Sequence, residues 1–400
     1  MKQPIKKKEF KKPSIAELKS AMGFGRKNTD EPIKMSELNL SSAEKDTEFI
    51  VMPSAFENAL KLPGIPMGYL TLCCGWSNTG KSTIKNGLIA ACQKQGIVPV
   101  IFETEGNFDW KYAIDCGVEA EPVYGKVIDE ETGEISERII DYEGSFYFFD
   151  NKVLASRFGN IDHSSGKATS KYRTEAVIED IAYCINDFLD KQESGEFPYP
   201  LCFIWDSIGS IGSYKSYTSK TGNNMFDAGA MSQAFNRIIN ARIPSSRRVD
   251  SPYTNTMFCI NKIWNDSMNG MPGIPSIELK GGKTMFYGAR LIIHLGGTAK
   301  AATKTLKATA KGEEFNYGIV TKVKVTKNQL PTPWNVTYSG TMCCVHNGLI
   351  SENEIDSYKK NNVKYILESI ENLRKMNNEQ NDTNVSENDI EFMEEETTDE

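Results

Sequence analysis

No stretch of this 400-residue chain is apolar for long enough to span a bilayer, which argues against a helical membrane protein. The opening residues, Met1–Lys8, lack the apolar core of a secretory signal. No C-x-x-C pair occurs. The nine cysteines are scattered, mostly in apolar runs, and read as reduced thiols of a cytosolic protein rather than as a metal site. No internal repeat is present, which excludes repeat architectures. A global charge field is also missing. The net charge is −7, but it sits at the ends: residues 1–13 hold six lysines against Glu9, and residues 376–400 hold ten acids and no base. The body is nearly neutral, so a nucleic-acid partner would have to be met by local basic loops. What is there, 39% hydrophobic and 25% charged residues, suits one large α/β domain with decorated ends, or two domains.

The strongest signal is Gly75–Trp76–Ser77–Asn78–Thr79–Gly80–Lys81–Ser82, followed by Thr83. It fits the phosphate-loop pattern G-x-x-x-x-G-K-[ST]. An apolar run, Tyr69–Cys74, precedes it as a buried strand; Ile84, Leu88, Ile89 and Cys92 follow at helical spacing until Gly96. Glycines let the backbone wrap a phosphate, and the helix N-terminus adds positive potential. Lys81 would reach the β/γ-phosphates of ATP, and the Ser82 hydroxyl would bind Mg²⁺.

The next strand, Ile97–Phe102, ends in Glu103–Thr104–Glu105, where ligands of open α/β sheets bind. Glu105 could orient or deprotonate a water for attack on the γ-phosphate. Leu201–Ser207 is a buried strand ending in Asp206, the pattern of a carboxylate that holds Mg²⁺ through water. Between them, residues 119–172 read as an insertion with surface loops and a hairpin around Gly133, and Ala176–Leu189 as an amphipathic helix. Residues 209–227, with Lys215 and Lys220 among tyrosines, serines and glycines, suit a flexible loop for phosphate contact and base stacking. A helix over Ala230–Ile239 and a basic cluster of Arg242, Arg247 and Arg248 come after it. The strand Met257–Ile260 leads through Asn261–Lys262 into a long Gly- and Pro-rich loop that reaches Gly281–Gly282. Further strands are expected at Arg290–His294, Ile319–Val325 and Trp334–Tyr338, and a helix on Ile366, Ile370 and Leu373. The expected organisation is a basic arm, short helix and linker over 1–46, a core over 47–340, a helical segment over 341–375, and a disordered acidic tail over 376–400.

Taken together, from about residue 49 to 340, these motifs resemble the RecA-type recombinases, with phage UvsX-like proteins the nearest guess. The resemblance rests on Pro66–Gly68, the phosphate loop, Glu105–Tyr112 with Cys116–Val118, Asp206–Ser207, Met231–Ala234, Ile260–Asn261, Gly281–Gly282 and Val325–Asn328. It implies a RecA-like core with a mainly parallel sheet flanked by helices, and a DNA-dependent ATPase using ATP and Mg²⁺. It makes Glu105 the residue that activates water and Tyr112 the one that stacks on the base. Lys215, Lys220, Ser232, Gly281 and Gly282 would meet DNA, and Lys327 would reach ATP across a subunit interface. Lys262 stands where the family commonly has a glutamine, Gln329 where it has a second lysine, and Asn236 where it has an arginine. Implied partners are single- and double-stranded DNA, further copies in a helical filament, and mediator or single-strand-binding proteins, with no membrane, in a bacterial or phage-infected cytosol. A helicase or translocase with the same core, or a nucleotide-switched assembly protein that hydrolyses little, are the alternatives.

Overall fold

The computed structural model describes residues 32, 34, 44–130, 132–219, 224–266, 276–279, 282–297, 303–310, 313–362, 364–368, 371 and 390–394. By packing the chain divides after Ala43, and every described strand and helix belongs to the unit Glu44–Glu400. The short helix expected after the basic arm, with Ile15, Leu18 and Met22 on one face, lies outside the described residues, as do Lys220, Gly281, Ile370 and Leu373.

A short antiparallel pair, β1 (Phe49–Val51) and β2 (Gly64–Pro66), brackets helix α1 (Ser54–Leu60). Then come β3 (Leu70–Gly75), α2 (Lys81–Lys94), β4 (Val98–Glu103) and α3 (Trp110–Asp115). A hairpin, β5 (Glu121–Ile128) with β6 (Ile135–Glu143), forms its own two-stranded sheet. β7 (Tyr147–Asp150), α4 (Asn151–Phe158), the small pair β8 (Ile161–Asp162) and β9 (Lys167–Ala168), and α5 (Ile178–Glu193) lead to β10 (Leu201–Ile208). After α6 (Tyr214–Ser219) and α7 (Asn224–Arg237) come β11 (Thr256–Asp266), β12 (Ser276–Leu279), α8 (Gly282–Gly288) and β13 (Ala289–Leu295). β14 (Thr303–Ala310), β15 (Glu313–Asn328), β16 (Ser339–Val345), β17 (Gly348–Ile350), α9 (Ile355–Asn361) and β18 (Ile390–Glu394) complete the described elements.

The central sheet runs β17-β16-β15-β13-β3-β11-β10-β4-β7. From β13 to β7 neighbouring strands are parallel; β15, β16 and β17 continue the sheet antiparallel. The parallel strands are apolar without alternation because both faces are covered. One face packs on α1 and α2 through Phe56, Ile84, Leu88 and Ile89, the other on α5 and α7 through Ile181, Ile185 and Phe235. This is an α/β architecture with a large, mainly parallel sheet flanked by helices.

Several expectations need correction. The stretch 119–172 is only in part an insertion: the hairpin stands outside the sheet, but β7 is its parallel edge strand beside β4, because Phe149 buries against Phe102 and Phe188. Residues 209–227 are not simply a loop. Ser213 caps α6 by accepting from Ser216 N at 3.2 Å, and Asp227 Oδ1 accepts from Ser213 N and Ser216 Oγ at 2.8 and 2.6 Å. The Gly- and Pro-rich loop after β11 has a folded base, since Ile263–Asp266 pairs antiparallel with Ser276–Leu279, as strand formers flanking a turn do. Residues 334–338 are not a strand: Asn328 Nδ2 donates to the Trp334 and Val336 carbonyls at 2.8 and 2.7 Å, and pairing restarts at Ser339. Within the tail, Ile390–Glu394, which carries Ile390, Phe392 and Met393 among its acids, is a strand on β14 rather than disordered.

Candidate nucleotide-binding site

The register of the parallel strands builds the site. Gly75 on β3 pairs with Lys262 on β11, and Asp206 on β10 pairs with Glu103 on β4, so four strand ends meet along one carboxyl edge. A cleft of about 530 Å³ opens there. It is lined by residues Ser77 through Thr83, by Glu105, Tyr112, Asp206 and Lys262, and on its far wall by Cys344, Val345 and His346.

The phosphate loop needs its glycines. Gly80 has φ +92°, and a Cβ there would stand 2.3 Å from Cys344 Sγ; a Cβ on Gly75 would meet Thr79 Oγ1 and the Leu295 carbonyl at 2.8 Å. Asn78 also takes a positive φ, 59°. Thr79 Oγ1 donates to the Trp76 carbonyl at 2.8 Å, and the Trp76 indole donates to Gly297 O at 3.1 Å, which pins the loop to the end of β13. Lys81 at the start of α2 is buried. Its ammonium donates to the carbonyls of Gly75, at 2.9 Å, and Trp76, and burial pulls it below the usual lysine range.

The two candidate glutamates differ sharply. Glu103 is 1% exposed and ion-paired to Lys85 of α2 at 3.1 Å; burial pushes its carboxyl up. Glu105 faces the cleft. Its carboxylate accepts from Lys262 Nζ at 2.8 Å, from Asn107 Nδ2 at 3.3 Å and from Ser207 Oγ. Burial works to raise it, but the bonds from Lys262 and Ser207 outweigh that and hold it below the usual carboxylate range. Tyr112, on an α3 capped by Asp109, lines the cleft with its hydroxyl 2.6 Å from Thr83 Oγ1 and 3.3 Å from the Val345 carbonyl.

Ser82 and Asp206 border the same cleft, a hydroxyl and a carboxylate among phosphate-loop amides. That donor set fits Mg²⁺, which favours one or two hard protein oxygens and takes the rest from phosphate and water. Among the described residues no cluster of three or more His, Cys, Asp or Glu offers an alternative metal cage.

Other candidates lie apart. Lys327 donates to the carbonyls of Phe286 and Tyr287 at 2.8 and 3.0 Å, away from the cleft. Lys215 is exposed on α6 with its ammonium over the Phe226 ring, and Ser232 is exposed on α7. Gly282, φ +66°, opens α8 against Ala228 of α7, so the elements that close the two candidate DNA loops pack on each other. The basic cluster is already engaged: Arg242 pairs with Asp190 and Glu193, Arg247 with Glu44 and the Tyr69 ring, and Arg248 with Asp250. Lys85 carries no motif of its own, although a lysine one turn after Lys81 in an otherwise apolar stripe is a usable signal in the sequence. Cys344, Val345 and His346 carry no motif either.

A glycine-dependent phosphate cradle on a helix, with acidic strand ends beside it, defines a P-loop nucleotide-binding core. Residues 33–144 match the family model of the RecA N-terminal domain, a span that includes the phosphate loop, Glu105 and Tyr112 and ends before Asp206. The chain is similar to the protein RecA of Aquifex aeolicus, 34% identical over 133 residues, which is 32% of this chain and 39% of that protein. It is also similar to the RecA of Aquifex pyrophilus, 32% identical over 28% of this chain and 38% of that one, and to that of Herpetosiphon aurantiacus, 34% identical over 26% and 27%. The chain thus spans between about a quarter and two fifths of the length of these curated relatives.

Proposed function

We propose that this chain is an ATP-dependent DNA recombinase, a DNA-dependent ATPase that assembles as a helical filament on single-stranded DNA and promotes pairing and strand exchange with a duplex. The observation that carries it is the convergence of Lys81, Ser82, Glu105, Asp206 and Lys262 on one cleft; the helices that end the two loops suited to DNA also pack on each other. Similarity to RecA over the first part of the core supports the same reading. Bound Mg²⁺·ATP supplies an activated phosphoryl group. Lys81 and the loop amides grip the β/γ-phosphates, Ser82 and Asp206 hold the metal, and Tyr112 packs on the base. Glu105, ionised at neutral pH, orients a water and takes its proton. Lys262, between Glu105 and the second loop, links DNA contact to that carboxylate. Lys215, Lys220, Ser232, Gly281 and Gly282 line the DNA path, and Lys327 serves a neighbouring subunit. No described helix is long and apolar enough to cross a membrane, and the cytosol of a bacterium or of a phage-infected cell is the compartment that suits a reader of its DNA. Negative-stain imaging with single-stranded DNA and a non-hydrolysable ATP analogue tests the reading. Helical filaments are expected; hexameric rings would make it a translocase, and neither form would leave a nucleotide-switched binding protein.

A further inference from the structure

Behind the cleft, and outside its lining, lies a buried cation that the nucleotide reading leaves without a task. Lys85 projects from α2 one turn beyond Lys81, and it is only 3% exposed. Its ammonium is 2.6 Å from Asp206 Oδ2 and 3.1 Å from Glu103 Oε2, and it lies 4.6 Å over the Phe108 ring. A lysine is rarely buried this deeply unless paired, and a purely apolar side chain would fill the space at a lower desolvation cost. The pairing also has reach. Glu103 uses its other oxygen, Oε1, to accept from the backbone N of Glu105 at 3.1 Å. One ammonium therefore ties the helix behind the phosphate loop to the strand end that bears Asp206 and to the turn that bears Glu105.

We infer that Lys85 is a positioning residue of the nucleotide site: it holds one oxygen of Asp206 so that the carboxylate keeps a fixed aim at the metal, and through Glu103 it sets the turn that presents Glu105. Two carboxylates and one ammonium leave this cluster at a net charge of −1, the charge of a lone aspartate. Without the ammonium, two buried carboxylates face each other across β4 and β10, where the register makes Glu103 and Asp206 direct neighbours. Lys85 thus pairs with both strand-end carboxylates at once. Lys85 does not itself line the cleft and reaches it through the Asp206 carboxylate, so its effect falls on how the metal is held and not on how the phosphates are gripped.

The inference rests on the nucleotide reading, and the experiment separates the two. The full-length chain is titrated with a fluorescent ATP analogue in EDTA and across a Mg²⁺ series. The variants are Glu103→Gln and the double Lys85→Met/Glu103→Gln; the double keeps the cluster at −1, so a buried uncompensated pair does not unfold it. Thermal melts report the fold. Expected for the wild type is binding that Mg²⁺ strengthens, and Glu103→Gln, which keeps the Lys85–Asp206 pair, stays close to it. In the double variant, binding in EDTA should hold within about twofold, while the Mg²⁺ midpoint rises by roughly 10–100-fold, the cost of losing the outer partner of a metal ligand. A role in stability alone would lower the melting temperature and leave the Mg²⁺ midpoint in place, and that result overturns the inference. So does an equal loss of binding in EDTA. If the wild type itself shows no Mg²⁺-strengthened binding, the nucleotide reading falls first.

Discussion

Replacing Lys262 with methionine should move the pH dependence of hydrolysis upward. In the folded chain the Glu105 carboxylate is nearly enclosed, at 10% side-chain exposure, and Lys262 is its one charged partner among the described residues, at 2.8 Å. Burial opposes ionisation there, and the donors from Lys262, Ser207 and Asn107 more than offset it. A hydrogen bond to a charged group contributes about 1.5–3 kcal/mol. The Lys262 side chain is 41% exposed, so water screens the pair, and about 1–1.5 kcal/mol is the fitting share. With that donor gone, the Glu105 carboxyl should rise in Lys262→Met. The sign is the same for stability: a depressed carboxyl stabilises the fold above its unfolded value and loses that contribution as pH falls through its folded value, so the wild type should also resist acid further down than the variant. The assay is phosphate release with saturating ATP and single-stranded DNA from about pH 3 to 8, a range that reaches below the usual carboxylate value. The acid limb should move to higher pH with little change in the plateau, because a more basic carboxylate offsets a less fixed one. An acid limb that stays in place, or moves down, refutes the clamp as the cause of the low carboxyl.

Glu105→Gln should bind nucleotide normally yet hydrolyse it slower by a factor on the order of 10²–10⁴, while a mirror result with Glu103→Gln would exchange their roles. Gly80→Ala strains a φ of +92° and drives a methyl into Cys344 Sγ; backbone strain of about 1–2 kcal/mol alone should weaken nucleotide binding about tenfold, whereas Gly96→Ala, φ +69° with nothing within 4 Å, should cost stability and spare binding. Lys215→Ala with Lys220→Ala should make the salt dependence of single-strand binding shallower by roughly 0.7 for each phosphate that is no longer neutralised, and an unchanged slope would remove the first loop from the DNA path. Deleting 376–400 should tighten duplex binding at low salt, with a gain that fades as the Debye length falls below ~10 Å; equal affinities with and without the tail would deny it any competition with DNA.

The strand–loop–helix around Gly75–Ser82 was legible because burial, turn and helix each leave a local signature, and so was the acidic end of β10. β7 was not: four residues after a Gly–Ser turn carry too little period, and only Phe102 and Phe188 make Phe149 a core residue. Nor was β14, whose Thr–Lys–Thr–Leu–Lys pattern reads as polar until β15 pairs with it. Glu103 and Glu105 are two residues apart, so strand alternation cannot separate them; the resemblance favoured Glu105, and it took Lys85, eighteen residues before Glu103, to show why Glu103 is the buried one. Lys262 was legible as a departure from glutamine; its partner was not, since nothing local joins positions 105 and 262.

The sheet order β3-β11-β10-β4 means that the two strands nearest in sequence to the phosphate loop are not neighbours. β3 and β4 are separated by two strands drawn from far downstream: Leu70 pairs with Met257, and Leu201 with Val98. During synthesis the phosphate loop is therefore made early and finished late. Until β11 and β13 emerge, β3 has no partner on either side, so a ribosome-bound chain that has passed Lys94 carries the motif without the site. Such non-local pairing is slow to form, and the placing of Lys262 opposite Gly75 waits on it. A nascent chain therefore gains the ability to hold nucleotide in one late step, which ties its first ligand to the moment its sheet closes.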